Sequence, residues 1–320
     1  MICYTDREFT YKKGVKHMRD IVIIGAGPAG LTAGIYGKRA GLDTVIIDES
    51  GIGGGQVLTT YDVDNYPGLP GISGMELGTK MHEHAIAAGV EFMEARVQGI
   101  EDGGNVKYVK TSSETVEAKT VIIATGAVHN HLGIPGEEEL GGMGVSYCAT
   151  CDGAFFRKRV TAVIGGGDVA LEDAIFLARG CSKVYLIHRR DEFRGAKKLA
   201  DIVKSTENIE ILYDTVPDSI VGSDAVEGLN VHNVKTNETK TLTLDGVFIA
   251  VGTHPVTEYL KGVLDMDERG YIKADESCAT SVPGIFAAGD VRTKQLRQIV
   301  TAASDGANAV TSAESYINNL

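Results

Sequence analysis

Residues 21–41, IVIIGAGPAGLTAGIYGKRAG, decide the fold: they read as an apolar strand, a glycine turn and a helix. Within them Gly25-Ala26-Gly27-Pro28-Ala29-Gly30 fits GxGxxG. The first glycine makes the tight turn, the second admits a pyrophosphate, and the third lets helix and strand pack closely. The helix N-terminus then points its unpaired N–H groups at the phosphates. Alone this pattern is weak. It gains weight from TVIIDES (44–50), a second strand ending in Asp48, 18 residues after Gly30. A carboxylate there favours a free ribose 2′-hydroxyl, as in the adenosine half of FAD or NAD.

The pattern then returns. RVTAVIGGGDVALEDAIFLARG (159–180) gives strand, glycine turn and helix again, with Gly165, Gly167, Asp168 and Ala170 inside a GxGxxA match. KVYLIHRR (183–190) is the matching second strand, and GVFIAVG (246–252) matches TVIIATG (120–126). Two modules that alternate strands and helices imply the α/β class, with two Rossmann-like, doubly wound parallel sheets. SVPGIFAAGDV (281–291) adds one more apolar strand, before a helix-like tail too short to be a domain. The economical arrangement has 19–129 and 255–320 forming one discontinuous domain, with 130–254 inserted as the second. The edges, HNHLGIPG (129–136) and GTHPVT (252–257), are short and contain Gly and Pro, as hinges would.

The second module ends its second strand differently, in His188, Arg189 and Arg190, with Arg194 close behind. These cations stand where the first module has its acid. Guanidinium groups bind a 2′-phosphate through paired hydrogen bonds, whereas a carboxylate repels it. The first module therefore suits FAD and the second NADPH. The plainer alternative is that HRRDEFR (188–194) is a solvated basic turn.

Bulk properties narrow the classes. At 320 residues the chain has room for about two domains. Gly is abundant, 40 residues against an average near 7%. A net charge of −12 argues against a broad nucleic-acid surface. No apolar run approaches the ~20 residues that cross a bilayer, so no membrane association is expected. Residues 1–18 have no continuous apolar segment and look unrelated to the rest of the chain, so they are expected to be a disordered or non-native leader. Five cysteines, with Cys3, Cys181 and Cys278 scattered, make a disulfide framework improbable and point to a reducing cytoplasm. Cys181 and Cys278 read as buried apolar fillers, and His82 and His84 as surface residues of a helix.

YCATCDG (147–153) carries the chemistry, with Cys148 and Cys151 three positions apart. Zinc needs about four ligands; His129 and His131 lie upstream without ligand spacing, so no metal is expected. A structural disulfide across so short a loop would constrain the unfolded chain little. A redox dithiol fits best, because CxxC spacing lowers one thiol's pKa and speeds disulfide exchange. Asp152 adds a titratable group able to move protons. Tyr147 receives no chemical role.

Taken in order, GAGPAG (25–30), GGQ (54–56), NYPG (65–68), ATG (124–126), LGIPGE (132–137), CATC (148–151), GGGDVALE (165–172), HRRDEFR (188–194), FIAVG (248–252), AAGD (287–290) and RQIVTAASDGA (297–307) resemble the low-molecular-weight bacterial thioredoxin reductases over residues 19–317. The resemblance implies FAD and NADPH as cofactors, a thioredoxin-like protein as partner, and a homodimer. It implies that Cys151 faces the flavin, Cys148 attacks the partner disulfide, and Asp152 protonates the leaving thiolate. Gly25, Gly27, Gly30 and Asp48 would hold the FAD pyrophosphate and ribose. Gly54, Gln56, Asn65, Ala124, Thr125, Gly126, Arg297 and Gln298 would lie along the cofactor, with Gly289 and Asp290 at the ribityl chain. Gly165, Gly167, Asp168 and Ala170 would frame the second pyrophosphate, and His188, Arg189, Arg190 and Arg194 would grip the 2′-phosphate. It further implies rotation of the NADPH domain between half-reactions. A relative with another thioredoxin-like partner or another electron donor is the alternative. Gly195 after Arg194 departs from the usual Ala, with no expected consequence.

Overall fold

The computed structural model describes residues 17–60 and 63–320. The expected leader lies, for residues 1–16, outside the described residues.

Strands β1 (Arg19–Ile24), β2 (Thr44–Asp48), β3 (Glu91–Glu94), β4 (Val97–Asp102), β5 (Lys107–Thr111) and β6 (Thr115–Ile123) build the first sheet in the order β3-β2-β1-β6-β5-β4. β3, β2, β1 and β6 run parallel, whereas β4, β5 and β6 form an antiparallel meander. The apolar runs of β1 and β2 carry no polar alternation because both faces are covered. Ile21, Ile23, Ile46 and Ile122 pack on one side; Val22, Ile24, Val45, Ile47, Val121 and Ile123 pack on the other. Each such side chain contributes about 1.5–3 kcal/mol on burial.

Helix α1 (Pro28–Arg39) starts at the glycine turn, with Pro in its first turn, where its missing N–H costs nothing. A Cβ at Gly30 would come within 1.9 Å of the Gly25 carbonyl oxygen, so this glycine is required by close packing of helix on turn. Helix α2 (Gly74–Ala87) is capped by Ser73, which accepts from Glu76 N.

The chain leaves the first sheet through β7 (Ala127–His129). It then forms β8 (Val145–Ser146), β9 (Val160–Ile164), β10 (Lys183–Ile187), β11 (Ile209–Leu212), the antiparallel β12 (Thr215–Gly222), β13 (Val226–Asn233) and β14 (Thr239–Thr243), and β15 (Gly246–Ile249). The second sheet, β11-β10-β9-β15-β8, is parallel throughout. The remaining helices are α3 (Ala149–Asp152), α4 (Asp168–Ala178), α5 (Lys197–Ser205) and α6 (Ile299–Ile317). The chain returns through β16 (Thr253–Pro255), which pairs antiparallel with β7, Thr253 opposite His129. The outgoing and returning segments thus form one two-stranded ribbon between the sheets.

β17 (Ile285–Ala287) then adds to β6 in parallel, so the end of the chain rejoins the first sheet. Helix α6 crosses α1 at Gly306, where a Cβ would stand 2.2 Å from the Ala29 carbonyl oxygen. The two Rossmann-like units read from the glycine turns are both present. The sequence reading did not anticipate the antiparallel β4–β6 meander or the β12–β14 sheet, which lie where the chain gives mixed strand-and-turn patterns.

Candidate active site

A cavity of about 1410 Å³ runs along the C-terminal ends of the first sheet's parallel strands and under the dithiol arm. This exceeds the ~300–1,000 Å³ of a pocket for a drug-sized ligand. Its walls bring together residues that the sequence separates widely: Gly25, Gly27 and Asp48 from the glycine turn and β2; Gln56 and Asn65 from the following loop; Ala124, Thr125 and Gly126 after β6; and Gly289, Asp290, Arg297 and Gln298 near the end of the chain. Cys148, Cys151 and Asp152 line the same cavity.

The glycine turn is held by its neighbours. Ala26 N donates to Asp48 Oδ2 at 2.8 Å, while Ser50 N and Oγ donate to Asp48 Oδ1 at 2.9 and 2.6 Å. Asp48 therefore braces the turn as well as lining the cavity. Gly54 N donates to Ala26 O at 2.8 Å, pinning the next loop to the turn. Gly30 and Gly54 stand behind the wall as packing elements and are not among the lining residues. Gly27, at the N-terminus of α1, faces open space: a Cβ there would meet nothing within 4 Å. On the opposite wall Asn65 Nδ2 donates to Gln298 Oε1 at 2.9 Å, joining two expected cofactor neighbours across 233 residues of sequence.

Asp290 is the clearest sign of a missing polar partner. Its Oδ1 is buried and accepts no hydrogen bond among the described residues. Burial pushes its carboxyl above the usual range, against the pull of Lys294 and Arg297. The turn that carries it is fixed by Asp305, which accepts from Gly289 N at 3.0 Å, Arg292 Nε at 2.9 Å and Lys294 Nζ at 2.9 Å. Burial works against Asp305's charge, but the Arg292 and Lys294 hydrogen bonds hold its carboxyl below the usual range. The open Gly27, the unpartnered acceptor on Asp290 and the elongated cavity fit FAD.

Cys148 and Cys151 are joined in a disulfide, with Cys148 capping the short helix α3. Both are half-buried, so exposure does not separate the two sulfurs. Sequence reading missed Ser146. This buried hydroxyl donates to Asp152 Oδ2 at 2.6 Å and accepts from Cys148 N at 3.0 Å, tying the acid to the dithiol. Its only signal was its place two residues before Cys148. Tyr147 is also more engaged than expected. Its hydroxyl donates to Glu137 Oε1 at 2.7 Å and lies 2.9 Å from His131 Nδ1. His84 is exposed, whereas His82 is half-buried, edge-on to Phe92 at 4.7 Å. Cys181 and Cys278 are free and buried.

The second glycine turn lies outside this cavity. Gly167 opens α4 with nothing within 4 Å of its Cβ position. A Cβ at Gly165 would meet Ala170 Cβ at 2.7 Å and Ala250 O at 2.4 Å, so these residues pack turn, helix and β15 together. Asp168 Oδ1 accepts from Ala196 N at 2.7 Å, and a Cβ on Gly195 would stand 3.1 Å from Asp168 N. His188 is set back: only 6% exposed, it sits under Gly166, with Nε2 2.9 Å from Glu192 O. Arg189, Arg190 and Arg194 are exposed, and none forms an ion pair among the described residues. Three unneutralised guanidiniums at the end of β10 fit a nucleotide bearing an extra phosphate.

Known proteins resemble the chain over nearly its whole length. Residues 19–306 match the family model described as pyridine nucleotide-disulphide oxidoreductase. The chain is 45% identical to the thioredoxin reductase of Listeria monocytogenes over 302 residues, 94% of each chain. The crystal structure of thioredoxin reductase from Streptococcus pyogenes superposes with a TM-score of 0.91 at 46% identity, covering 96% of this chain and all of that one. The Lactococcus lactis thioredoxin reductase in its FR conformation superposes with a TM-score of only 0.66 at 44% identity, covering 94% of this chain and all of that one.

Proposed function

Because the chain belongs to the pyridine nucleotide-disulphide oxidoreductases, and within them to the thioredoxin reductases, we propose that Cys148 and Cys151 pass electrons from NADPH to the disulfide of a thioredoxin. The activity is NADPH-dependent thioredoxin-disulfide reduction, with FAD as the intermediate carrier. The observation that carries the residue assignments is the shared cavity: the disulfide opens on the space lined by Gly27, Asp48, Asp290, Arg297 and Gln298.

FAD, which Gly27, Asp48, Asp290, Arg297 and Gln298 would hold, would supply the hydride chemistry that links two-electron donation by NADPH to the disulfide. The chain does the rest. Two electrons break the Cys148–Cys151 bond, and one proton converts Cys148 to a thiol, with Cys151 facing the cavity. Cys148, once deprotonated, attacks one sulfur of the partner disulfide and displaces the other as thiolate. Cys151 then attacks Cys148 in the mixed disulfide, releasing the reduced partner and restoring the original bond. Asp152, oriented by Ser146, exchanges the protons these thiolates take up and give away. Overall one NADPH and one proton reduce one partner disulfide to a dithiol. Arg189, Arg190 and Arg194 supply the preference for NADPH over NADH.

The reading includes rotation of the second sheet unit about the β7–β16 ribbon between half-reactions. Two relatives of nearly equal identity superpose very unequally on this chain. Equal kinship with unequal superposition is what a change in the placement of two conserved units produces, which supports the rotation. The reading also extends to a homodimer in the cytoplasm. The family resemblance supports the dimer, and the buried free Cys181 and Cys278 fit a reducing compartment. No helix among the described residues is long and apolar enough to cross a membrane.

Anaerobic titration with NADPH, followed by flavin absorbance, tests the assignment. Uptake of about two equivalents per flavin is expected, one for the flavin and one for the disulfide. Uptake of about one would remove the dithiol from the electron path. Equal efficiency with NADH would remove the role given to the arginines.

A further inference from the structure

A side-chain path ties the dithiol arm to the ribbon, and the redox chemistry makes no use of it. His129, the last residue of β7, lays its imidazole on the Tyr147 ring, with centroids 5.0 Å apart and planes inclined by 23°. Tyr147 directly precedes Cys148. Its ring is held at the other end by the hydrogen bond to Glu137, which is 2% exposed and also accepts from Leu132 N at 3.0 Å and Gly133 N at 2.7 Å. The ring therefore cannot swing without breaking a bond to a buried carboxylate. On the returning strand Thr253, the backbone partner of His129, shares a 2.5 Å hydrogen bond with the Tyr271 hydroxyl. The Tyr271 ring in turn carries the Arg297 guanidinium 4.1 Å from its centre. The cavity wall, the ribbon and the dithiol arm are thus in continuous contact.

We propose that the His129–Tyr147 stack is a latch that holds the Cys148–Cys151 arm against the cavity, making His129 a positioning residue for the dithiol half-reaction. The proposal rests on the rotation reading above. β7 and β16 are three residues each, so a rotation between the sheets is absorbed in the ribbon's own torsions. Such a change swings the His129 side chain relative to Tyr147, and offset stacking survives only small changes of angle. The ring also stacks in its neutral form: burial, and then the neighbouring His131, lower the His129 pKa. Asn130 completes the joint, its side-chain oxygen 2.7 Å from His254 Nδ1 and its N–H bonded to Gly252 O.

The test uses the FAD-loaded enzyme and two substitutions, H129A, which removes the ring, and H129F, which keeps a stacking ring without nitrogens. Small-angle X-ray scattering with and without NADPH reads the balance between arrangements, and anaerobic stopped-flow reads the rate of flavin bleaching by NADPH. An aromatic pair supports about a two- to tenfold bias between two states. H129A is expected to shift the scattering of the NADPH-free enzyme toward the NADPH-bound profile and to speed bleaching by that factor. H129F is expected to match wild type. Two arrangements in wild type, with an unchanged balance and rate in H129A, would overturn the latch alone. An H129F that behaves like H129A would overturn the role of the stack. Wild-type scattering indifferent to NADPH would overturn the rotation reading, and the latch with it.

Discussion

Replacing Asp290 by Asn should move the stability of the apoprotein and the affinity for FAD in opposite directions. The carboxylate lacks a partner on one oxygen: Oδ1 is buried and accepts no hydrogen bond among the described residues. Burial outweighs the attraction of Lys294 and Arg297, so the charged form is disfavoured in the folded chain. An unsatisfied buried polar group costs about 1–3 kcal/mol, and the neutral amide removes part of that cost. The D290N apoprotein should then melt a few degrees higher than the wild-type apoprotein at pH 8. FAD binding loses a charge-assisted hydrogen bond of about 1.5–3 kcal/mol and keeps a neutral one of about 0.5–1.5. The difference, about 1–2 kcal/mol, corresponds to roughly a 5- to 30-fold weaker Kd. The folded pKa is raised, so this residue's stabilising effect is present below the ordinary carboxylate value and is lost as pH climbs through the raised one. The pH slope of apoprotein stability should flatten in D290N. Calorimetry on deflavinated protein measures both quantities. A D290N variant that binds FAD as tightly as wild type, or whose apoprotein melts lower, would refute the argument.

The paired substitution R189A/R190A should lower kcat/KM for NADPH by about 10- to 100-fold, since two exposed, charge-assisted phosphate contacts together supply about 1.5–3 kcal/mol. Steady-state assays with NADH should change little, and an equal loss with both nucleotides would point to damage at the glycine turn instead. C148S should cut the NADPH taken up in anaerobic titration from about two equivalents per flavin to about one. Asp173 lines the cavity, and burial, with Glu172 adding to it, pushes its carboxyl up to about 7. Its folded pKa lies above the unfolded value, so wild-type stability falls as pH rises from about 4 to about 7, by up to about 4 kcal/mol. D173N should therefore melt above wild type by a margin that widens from pH 5 to pH 8.

Local repeats make the two Rossmann-like units readable in the sequence alone. An apolar run covered on both faces, a glycine turn and a helix occupy one short stretch, and each step is fixed by neighbours in sequence. The same holds for the CxxC arm. What escaped notice depends on contacts between distant segments. Ser146 is an ordinary serine until folding sets its hydroxyl between Asp152 and the Cys148 N–H. Glu137 draws notice only as the last residue of LGIPGE, yet it anchors Tyr147. His188, placed by its strand among the phosphate-binding cations, is drawn inward because Gly166 leaves room for its ring. Side-chain direction at a strand's end depends on what the adjoining turn leaves empty, and composition does not reveal that.

The dithiol lines the large cavity, while Gly165, Gly167, Asp168 and the three arginines do not. The second sheet unit reaches its wall through β8 and the dithiol arm, and through Val169, Asp173, Ile249 and Ala250. Under the proposed reading, a flavin held by Gly27, Asp48 and Asp290 would meet sulfur, and a nucleotide held at the second glycine turn would be kept from the place that sulfur occupies. On that reading reduction by NADPH and delivery to the disulfide would exclude each other in space, and one turnover needs both. A rigid chain with every site residue intact would fill its flavin or its dithiol once and stop. The ribbon of β7 and β16 is the proposed joint, and its three-residue strands pair at fewer positions than β1–β6 and β9–β10 at the centre of the two parallel sheets. Under the rotation reading, turnover would depend on how firmly that ribbon is held as much as on the residues that touch electrons.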